Sequence, residues 1–336
     1  MSESLPIFFI ILPPLLLTMA LRKALIAGIT GQDGAYLAKH LLSCGYKVMG
    51  TSRDSLSCNT SRLERLAIQH DVELISLAPN DFRSVLKTLT ATTPDEIYNL
   101  AGQTSVGLSF EQPVECMDSI AGGTLNFLEA LRYLGLGSRF FSAGSSECFG
   151  DTGSEPANET SAFRPRSPYA VAKSTAFWQV ASYRDAYGLH CCTGILANHE
   201  SPLRPHRFVT QKIVSAVKAI KAGTQNKLLL GNLDIWRDWG WAPDYVQAMH
   251  LMLQQKRPTD FIVATGQTSS LRDFVDAAFD AVDLNSNDYL QIDSNLLRPS
   301  DLKYSAVNPA SIKANLGWQA KHGLRDIIEK MMTARH

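Results

Sequence analysis

A tyrosine and a lysine stand four residues apart in the segment YAVAK, as Tyr169 and Lys173. That spacing places both side chains on one face of a helix. Ser145 lies twenty-four residues earlier, just after the apolar run FFSA, so its hydroxyl can reach Tyr169 if that run is a strand. A nearby ammonium group and the charge of the cofactor favour a phenolate, which lets Tyr169 accept an alcohol proton near neutral pH. The three residues predict hydride transfer at a sugar or alcohol carbon over a bound nicotinamide.

A carboxylate accompanies this set, because Glu147 lies two residues after Ser145 on the same loop. A simple alcohol dehydrogenase needs no acid or base at that position. Loss of water across C5 and C6 of a hexose does, since one group must take the C5 proton and another proton must reach the departing 6-hydroxyl. Glu147 therefore predicts a dehydratase. The alternative is a surface or helix-capping glutamate.

A glycine turn, GITGQDG, follows the apolar run KALIAGI and precedes a helical pattern. Glycines there permit a tight turn and let a pyrophosphate approach the backbone N–H groups at the helix N-terminus. The residues predicted to bind a dinucleotide here are Gly28, Ile29, Thr30, Gly31, Gln32, Asp33 and Gly34.

The end of the next apolar run, KVMGTS, bears on the choice of cofactor. An NAD site usually carries an acidic residue there, which holds the ribose 2′-hydroxyl. This chain has Arg53, which can pair with a 2′-phosphate, so the sequence predicts NADP. NAD stays open because Asp54 follows directly and could hold the ribose instead. Arg53 could also be an ordinary surface arginine.

The elements that must position these residues are short apolar runs alternating with helical patterns. The runs lie at 23–29, 47–52, 72–77, 96–100, 140–143 and 191–196. This alternation predicts an α/β fold, a Rossmann-type doubly wound parallel sheet that places ligands at the carboxyl ends of its strands. We assign 19–196 and about 235–258 to this dinucleotide-binding domain. Residues 197–234 and 259–336 are assigned to a smaller C-terminal α/β domain that binds the substrate.

The overall charge excludes some partners. The 336 residues carry 32 Lys and Arg against 32 Asp and Glu, so no field of one sign can steer the chain onto nucleic acid or an anionic membrane. The six cysteines form no C-x-x-C pair and the histidines are scattered, so we expect free thiols in a reducing compartment, the cytoplasm, and no metal.

The N-terminus carries the apolar segment LPIFFIILPPLLL. It is short for a membrane span, is broken by two prolines, and lacks the basic flank of a signal peptide. We expect residues 1–18 to be a disordered or spurious extension before a functional start near Met19. A membrane-associating tail is the alternative.

From about Met19 to the C-terminus the chain resembles the GDP-mannose 4,6-dehydratase family, a branch of the extended short-chain dehydrogenases/reductases. The resemblance rests on the segments GITGQDGAYLAKHLL, EIYNLAGQTSVGLSFEQP, SSECFG, PRSPYAVAK, GILANHESPLRPHRFVTQKI, LGNLDIWRDWGWAPDYVQAMHLMLQ and FIVATGQTSSLRDFV. NHES and RDWG-x-x-x-DYV are the most specific of these segments.

The resemblance implies a role for each matching residue. Ser145 takes the place of the family's threonine, Glu147 is the acid/base, Tyr169 is the base for the C4 hydroxyl, and Lys173 binds ribose and lowers the pKa of Tyr169. Further cofactor contacts are implied for Leu100, Ala101, Gly102, Gln103, Thr104, Lys173, His199 and Arg204. GDP-sugar contacts are implied for Asn198, Lys212, Arg237, Arg298 and Asp301. A homodimer or homotetramer is implied as well.

The implied reaction converts GDP-mannose to GDP-4-keto-6-deoxymannose by internal hydride transfer and loss of water. A 4,6-dehydratase of another GDP-sugar, such as a GDP-heptose, stays open because the segment before Arg298 is shortened and Asp301 stands where the family has glutamate. A nucleotide-sugar epimerase or 4-keto reductase would use Ser145, Tyr169 and Lys173 without requiring Glu147. A non-enzymatic NADP sensor is the alternative from another class.

Overall fold

The computed structural model describes residues 21–153 and 155–334, so the expected extension over residues 1–18 lies outside the described residues. Its strands are, in chain order, β1 (Lys23–Ala27), β2 (Lys47–Ser52), β3 (Val72–Ser76), β4 (Glu96–Asn99), β5 (Arg139–Ala143), β6 (Cys191–Leu196), β7 (Asn198–Glu200), β8 (Leu228–Leu230), β9 (Trp236–Trp241), β10 (Phe261–Val263), β11 (Thr268–Ser270), β12 (Leu290–Ile292) and β13 (Tyr304–Ser305).

The helices of the same residues are α1 (Gln32–Ser43), α2 (Ser61–Arg65), α3 (Phe82–Thr92), α4 (Val106–Glu111), α5 (Pro113–Met117), α6 (Gly123–Leu134), α7 (Pro168–Tyr187), α8 (Val209–Lys221), α9 (Ala242–Leu253), α10 (Leu271–Asp280), α11 (Ser286–Tyr289), α12 (Ala310–Leu316) and α13 (Leu324–Thr333). A π-helical turn joins α5 to α6, and a 3₁₀ turn at Ser146–Phe149 follows β5. Across the described ranges, no helix has both the length and the apolar character needed to cross a membrane.

A parallel sheet with the strand order β10-β6-β5-β4-β1-β2-β3 forms the centre of the molecule. Each of the six predicted apolar runs is a strand of it, and the predicted fold class is confirmed. The chain moves outward from β1 in one direction with β2 and β3, and in the other with β4, β5 and β6. The carboxyl ends of β1 and β4 therefore flank the switch point where such sheets bind ligands.

Both faces of this sheet are covered, which explains why its strands read as continuous apolar runs. Ile26 of β1 packs into the core on one face with Leu37 of α1 and Met249 of α9. The adjacent Leu25 packs into the core on the other face with Phe127 of α6. Because side chains alternate along a strand, β1 contributes to both layers, and its last four residues are inaccessible to water.

A second unit covers the carboxyl edge of the sheet. Strand β9 pairs there with β7, β11 and β13, and β8 pairs with β12. Helices α8, α10 and α13 pack behind them around a core that includes Val217, Phe274 and Ile328. This arrangement brings the loops after β6 and β9 against the ends of β1, β4 and β5.

Two strands fall on the other side of the predicted domain boundaries. Strand β9 was assigned to the dinucleotide-binding domain but belongs to the sheet of the second unit, whereas β10 was assigned to the second domain but pairs with β6 in the central sheet. Strand β9 runs directly into α9, which packs on the central sheet, and β10 has only three residues. A three-residue run such as β10 gives no periodicity that could show which sheet it joins.

Candidate active site

The glycine turn closes β1 onto α1 at the switch point. Gly28 has φ +87°, and a Cβ there would lie 3.0 Å from the backbone of Leu100 and Ala101. Gly31 is the N-cap of α1, so the N-terminus of that helix opens into the cleft. A Cβ on Gly34 would lie 2.4 Å from the carbonyl oxygen of Gly28, so only glycine lets α1 pack this close to the turn. The backbone can thus approach a pyrophosphate closely.

A cleft of about 760 Å³ extends from this turn along the sheet edge. The predicted residues that line it are Gly28, Thr30, Gly31, Gln32, Asp33, Gly34, Arg53, Leu100, Ala101, Gly102, Gln103, Thr104 and Arg204. Ile29 does not line it. Its side chain is fully buried against Gly50 of β2, because the turn directs it into the core.

Arg53 and Asp54 differ in their surroundings. Arg53 follows β2 and lines the cleft. The Asp54 carboxylate accepts hydrogen bonds from the backbone N–H of Leu56 at 2.9 Å and from Ser57 Oγ at 2.6 Å. Asp54 therefore stabilises its own exposed turn, while the guanidinium beside it is available to an anion in the cleft.

Two further arginines line the cleft, and the sequence reasoning missed both. Arg62 of α2 donates from Nη1 to the carbonyl oxygen of Thr30 and from Nε to that of Leu203, each at 2.9 Å. Burial lowers the pKa of Arg62, and the charges of Arg65 and Arg207 lower it further. Arg207 lines the cleft as well, in the proline- and arginine-rich segment SPLRPHRF. The arginine-rich composition of that segment could have indicated Arg207 as a cleft residue, whereas the sequence around Arg62 gives no such indication.

A buried pair joins the glycine turn to the loop after β6. His199 Nε2 lies 2.9 Å from Asp33 Oδ2, and its Nδ1 lies 2.8 Å from the carbonyl oxygen of Ala197. Both partners are acceptors, so both ring nitrogens donate and the imidazole is protonated. Burial would lower the pKa of His199, but Asp33 raises it above the ordinary value. Burial would likewise raise the pKa of Asp33, yet His199 brings it down to about 2.

A smaller pocket of about 170 Å³ adjoins the cleft under the second unit. It is lined by the predicted Ser145, Glu147, Tyr169, Lys173, Asn198, His199, Arg204, Arg237 and Arg298. Ser145 ends the β5 loop and caps the 3₁₀ turn that carries Glu147. Tyr169 lies in the first turn of α7, where Pro168 and the N-cap Ser167 begin the helix. The structure thus brings the four predicted catalytic residues together.

Tyr169 and Lys173 are both buried, and burial shifts the pKa of each side chain. Burial raises the pKa of Tyr169 above its ordinary value, and a hydrogen bond with Ser145 offsets part of this. Lys173 Nζ lies 5.8 Å from the centre of the Tyr169 ring and donates to the carbonyl oxygen of Ala143 at 2.6 Å. Burial lowers the pKa of Lys173 to about 8. The expected lowering of the Tyr169 pKa by Lys173 is therefore not produced by the protein groups alone.

Glu147 lies within a charged cluster at the far side of this pocket. Its side chain is 14% exposed, and Oε1 lies 3.9 Å from Nε of Arg237. Burial raises the pKa of Glu147, against the lowering effect of Arg237 and Arg298, while Asp301 raises it further. A carboxyl group whose pKa is raised, held in a pocket beside a buried phenol, is suited to both taking and giving a proton.

Arg237 is held rigidly. Its Nη2 donates to Asp301 Oδ1 at 2.9 Å, and its Nη1 donates to the carbonyl oxygens of Trp236 and Leu302 at the same distance. Asp301 thus contributes through Arg237 and does not itself line the pocket. Lys212 lies in α8, half-buried, and lines neither the cleft nor the pocket. Its predicted contact with a GDP-sugar stays a prediction.

The placement of Tyr169 and Lys173 beside a dinucleotide cleft, under a second unit that supplies arginines, defines the class: an extended short-chain dehydrogenase/reductase that acts on nucleotide sugars. Comparison with known proteins narrows this. The chain belongs to the GDP-mannose 4,6-dehydratase family, since the family model described as GDP-mannose 4,6 dehydratase matches residues 25–331. It is a hydro-lyase family.

One relative supports this assignment, and two solved structures share the fold. GDP-mannose 4,6 dehydratase 1 of Arabidopsis thaliana is 44% identical over 319 residues, covering 92% of this chain and 88% of the relative. A dTDP-glucose 4,6-dehydratase of Streptomyces venezuelae with NAD bound has a TM-score of 0.82 at 18% identity, covering 92% of this chain and 95% of that one. RMD of Pseudomonas aeruginosa, complexed with NADPH, has a TM-score of 0.76 at 21% identity, covering 93% and 97%. The two structures show the fold.

Proposed function

We propose that the chain converts GDP-mannose to GDP-4-keto-6-deoxymannose, with Tyr169, Lys173, Ser145 and Glu147 as its catalytic residues and NADP as its cofactor. The observation that carries the proposal is the position of Glu147. Its carboxyl group shares one pocket with Tyr169 and has a raised pKa because of burial. An epimerase or a 4-keto reductase would have no use for this group.

The residues of the cleft fit a nicotinamide dinucleotide. The glycine turn and the N-terminus of α1 would hold the pyrophosphate, and Lys173, with its buried ammonium, would hold the ribose. Arg53 favours NADP over NAD, because it lines the cleft while Asp54 is bound within its own turn. When bound, NADP supplies the hydride acceptor for C4 and later the hydride donor for C6, so none is consumed.

The first chemical step falls to Tyr169. Its phenolate oxygen takes the proton of the C4 hydroxyl as that carbon is oxidised to a ketone. Ser145 hydrogen-bonds the same oxygen and stabilises its negative charge. Since the protein groups alone raise the pKa of Tyr169, the positive charge that makes it a base comes from the oxidised cofactor together with Lys173.

The second step falls to Glu147. The 4-ketone makes the C5 proton acidic, and the Glu147 carboxylate removes it. The same carboxyl group then delivers a proton to the departing 6-hydroxyl, so that water leaves and a C5–C6 double bond forms. After hydride addition at C6, C5 regains a proton and the product is the 4-keto-6-deoxy sugar. Arg237 is placed to hold Glu147 and an anionic substrate group together.

The GDP-sugar would be bound by the second unit. Arg237 and Arg298 line the pocket and can each make paired hydrogen bonds to a diphosphate, and Asn198 offers a neutral donor beside them. The buried Arg237 is fixed by Asp301, so little conformational freedom is lost when it binds phosphate. This arrangement supports a nucleotide diphosphate substrate.

Mass spectrometry of the products formed from GDP-mannose tests the proposal. We expect loss of one water, with incorporation of one solvent deuterium at C5 when the reaction is run in D₂O. Turnover of a GDP-heptose but not of GDP-mannose would assign the other 4,6-dehydratase. A product isomeric with the substrate would indicate an epimerase. Bound cofactor with no reaction on any GDP-sugar would indicate a sensor.

We further propose a cytoplasmic homo-oligomer. Large apolar side chains are exposed on α6 and α7, including Tyr133, Trp178 and Tyr187, which supports a self-association surface on these helices. All six cysteines are free, as expected in a reducing compartment. Light scattering of the wild type and of Trp178→Glu tests the surface, because a charge there is expected to release monomers.

A further inference from the structure

Helices α1 and α9 bring two histidines and a cysteine together on the outside of the central domain. His40 and Cys44 lie at i and i+4 at the end of α1, and His250 of α9 meets them. One ligand atom from each lies within 4.8 Å of the others. We propose that His40 Nε2, Cys44 Sγ and His250 Nδ1 bind a divalent transition metal of the zinc type, with water as the fourth ligand.

Two of the three ligand distances are already close to those around a tetrahedral ion. His40 Nε2 lies 3.0 Å from His250 Nδ1 and 3.8 Å from Cys44 Sγ. Zinc bonds of about 2.0 Å to nitrogen and about 2.3 Å to sulfur put two nitrogens roughly 3.3 Å apart, and nitrogen and sulfur roughly 3.6 Å apart. Shifts of a few tenths of an ångström bring these two pairs to coordination distance, and His250 Nδ1 and Cys44 Sγ, which lie within 4.8 Å of each other, approach by up to about 1.2 Å. Cys44 is exposed, which leaves room for the water.

The surroundings of His250 select the tautomer that binds metal. Tyr46 donates its hydroxyl hydrogen to Glu96 Oε1 at 3.1 Å, and Tyr46 Oη also lies 3.2 Å from His250 Nε2. Because that hydrogen is used, Nε2 of His250 must donate to Tyr46, which leaves the lone pair of Nδ1 pointing at His40. A histidine ligand whose other nitrogen donates into a carboxylate network is the usual outer shell of a metal site.

Binding of the ion requires a rearrangement of protons at the ligands. When the ion enters, His40 moves its proton from Nε2 to Nδ1, and Cys44 releases its thiol proton to the buffer. Imidazole and thiolate ligands favour zinc over the hard cations Mg²⁺ and Ca²⁺.

The site lies apart from the catalytic cleft. The glycine turn precedes the N-terminus of α1, whereas Cys44 caps its C-terminus, about 18 Å away along the twelve residues of the helix. A metal there links α1 to α9 and so stabilises the packing of the helix that follows the glycine turn. The sequence predicted no metal because His250 lies 210 residues after His40. Only the fold brings them together.

Metal titration of tag-free, EDTA-treated full-length protein tests the site. We expect one equivalent of Zn²⁺ to bind and raise the Tm, Mg²⁺ to have no effect, and Co²⁺ to give a thiolate-to-cobalt charge-transfer band. Cys44→Ser should abolish that band and weaken Zn²⁺ binding by more than about tenfold. Tyr46→Phe should weaken it by roughly 10- to 100-fold through loss of the outer shell.

Cys58→Ser is the matched control, because it removes another thiol that is not fully buried and has no histidine partner among the described residues. It should keep wild-type Zn²⁺ affinity and the cobalt band. Circular dichroism of each variant establishes that it is folded. The proposal is overturned if Cys44→Ser binds Zn²⁺ as tightly as the wild type, or if the Co²⁺ complex shows no thiolate band.

Discussion

Glu147→Gln is the substitution that separates a dehydratase from the related hydride-transfer enzymes. The change keeps the shape of the side chain and removes its ability to exchange a proton. Glu147 lies in the same pocket as Tyr169 and Lys173, but Arg237 is the charged group nearest to it, at 3.9 Å. We therefore expect the substitution to spare oxidation at C4 and to block the loss of water.

The size of the effect follows from the role of the group. A positioned general acid or base contributes about 10²- to 10⁴-fold to a rate, which corresponds to roughly 3–5 kcal/mol of barrier. The folded state gains no comparable stability from Glu147, because burial raises its pKa and so disfavours its ionised form at neutral pH. The free energy of unfolding of Glu147→Gln should therefore equal or exceed that of the wild type at pH 7.

Two assays on the same variant make the test specific. Steady-state formation of the 4-keto-6-deoxy sugar should fall by the factor above. Rapid-mixing absorbance should show reduced nicotinamide accumulating in Glu147→Gln, because C4 is oxidised and the hydride cannot be returned. Tyr169→Phe should lose both signals, and Glu155→Gln, at an exposed carboxylate, should lose neither. Full turnover by Glu147→Gln, or no reduced nicotinamide in it, would refute the assignment.

Four further outcomes are expected. Arg53→Ala should raise the Kd of NADP by about 10- to 100-fold and leave that of NAD unchanged, as measured by titration, if Arg53 binds the 2′-phosphate. The pH profile of kcat/KM should have an acid limb above the usual glutamate range, because Glu147 must be ionised to take the C5 proton, and a basic limb near pH 8 as Lys173 loses its charge. Gly28→Ala should lower the free energy of unfolding, measured in urea, by about 1–2 kcal/mol or more. Alanine is strained at φ +87°, and its Cβ would lie 3.0 Å from the backbone of Leu100 and Ala101. Asp33→Asn should lower the free energy of unfolding by about 2 kcal/mol at pH 7, because the pKa of Asp33 is lowered from 3.8 to about 2 in the folded state. This stabilisation is complete above pH 3.8 and is lost as the pH falls to 2. Urea unfolding of both proteins at pH 7 and pH 3 measures the difference.

The central sheet and the glycine turn could be predicted because their causes are local. A strand buried on both faces needs an unbroken apolar run, and the six runs of this kind became β1 to β6. The start of α7 is equally local, since Ser167 caps the helix and Pro168 fits its first turn. The i, i+4 spacing alone predicted that Tyr169 and Lys173 share one helix face.

The electrostatics of the site could not be predicted, because they depend on residues distant in sequence. His199 meets Asp33 across 166 residues, and the pair fixes the charge of both. Arg62 enters the cofactor cleft because a short helix packs against the glycine turn, and its own sequence gives no sign of this. The burial that raises the pKa of Tyr169 is a property of the assembled pocket, so the spacing of Tyr169 and Lys173 could not reveal it.

The position of Glu147 links the reaction type to the identity of the sugar. Its carboxyl group comes from the central domain, but the charges that set its pKa, those of Arg237, Arg298 and Asp301, come from the second unit. Arg237 in turn depends on Asp301 and on the backbone of Trp236 and Leu302 for its position. We therefore expect a change in the segment around Arg298 to shift the pKa of Glu147 as well as to alter the proposed contacts with the substrate. If Glu147 is the proposed acid/base, sugar specificity and the rate of dehydration will change together in such variants.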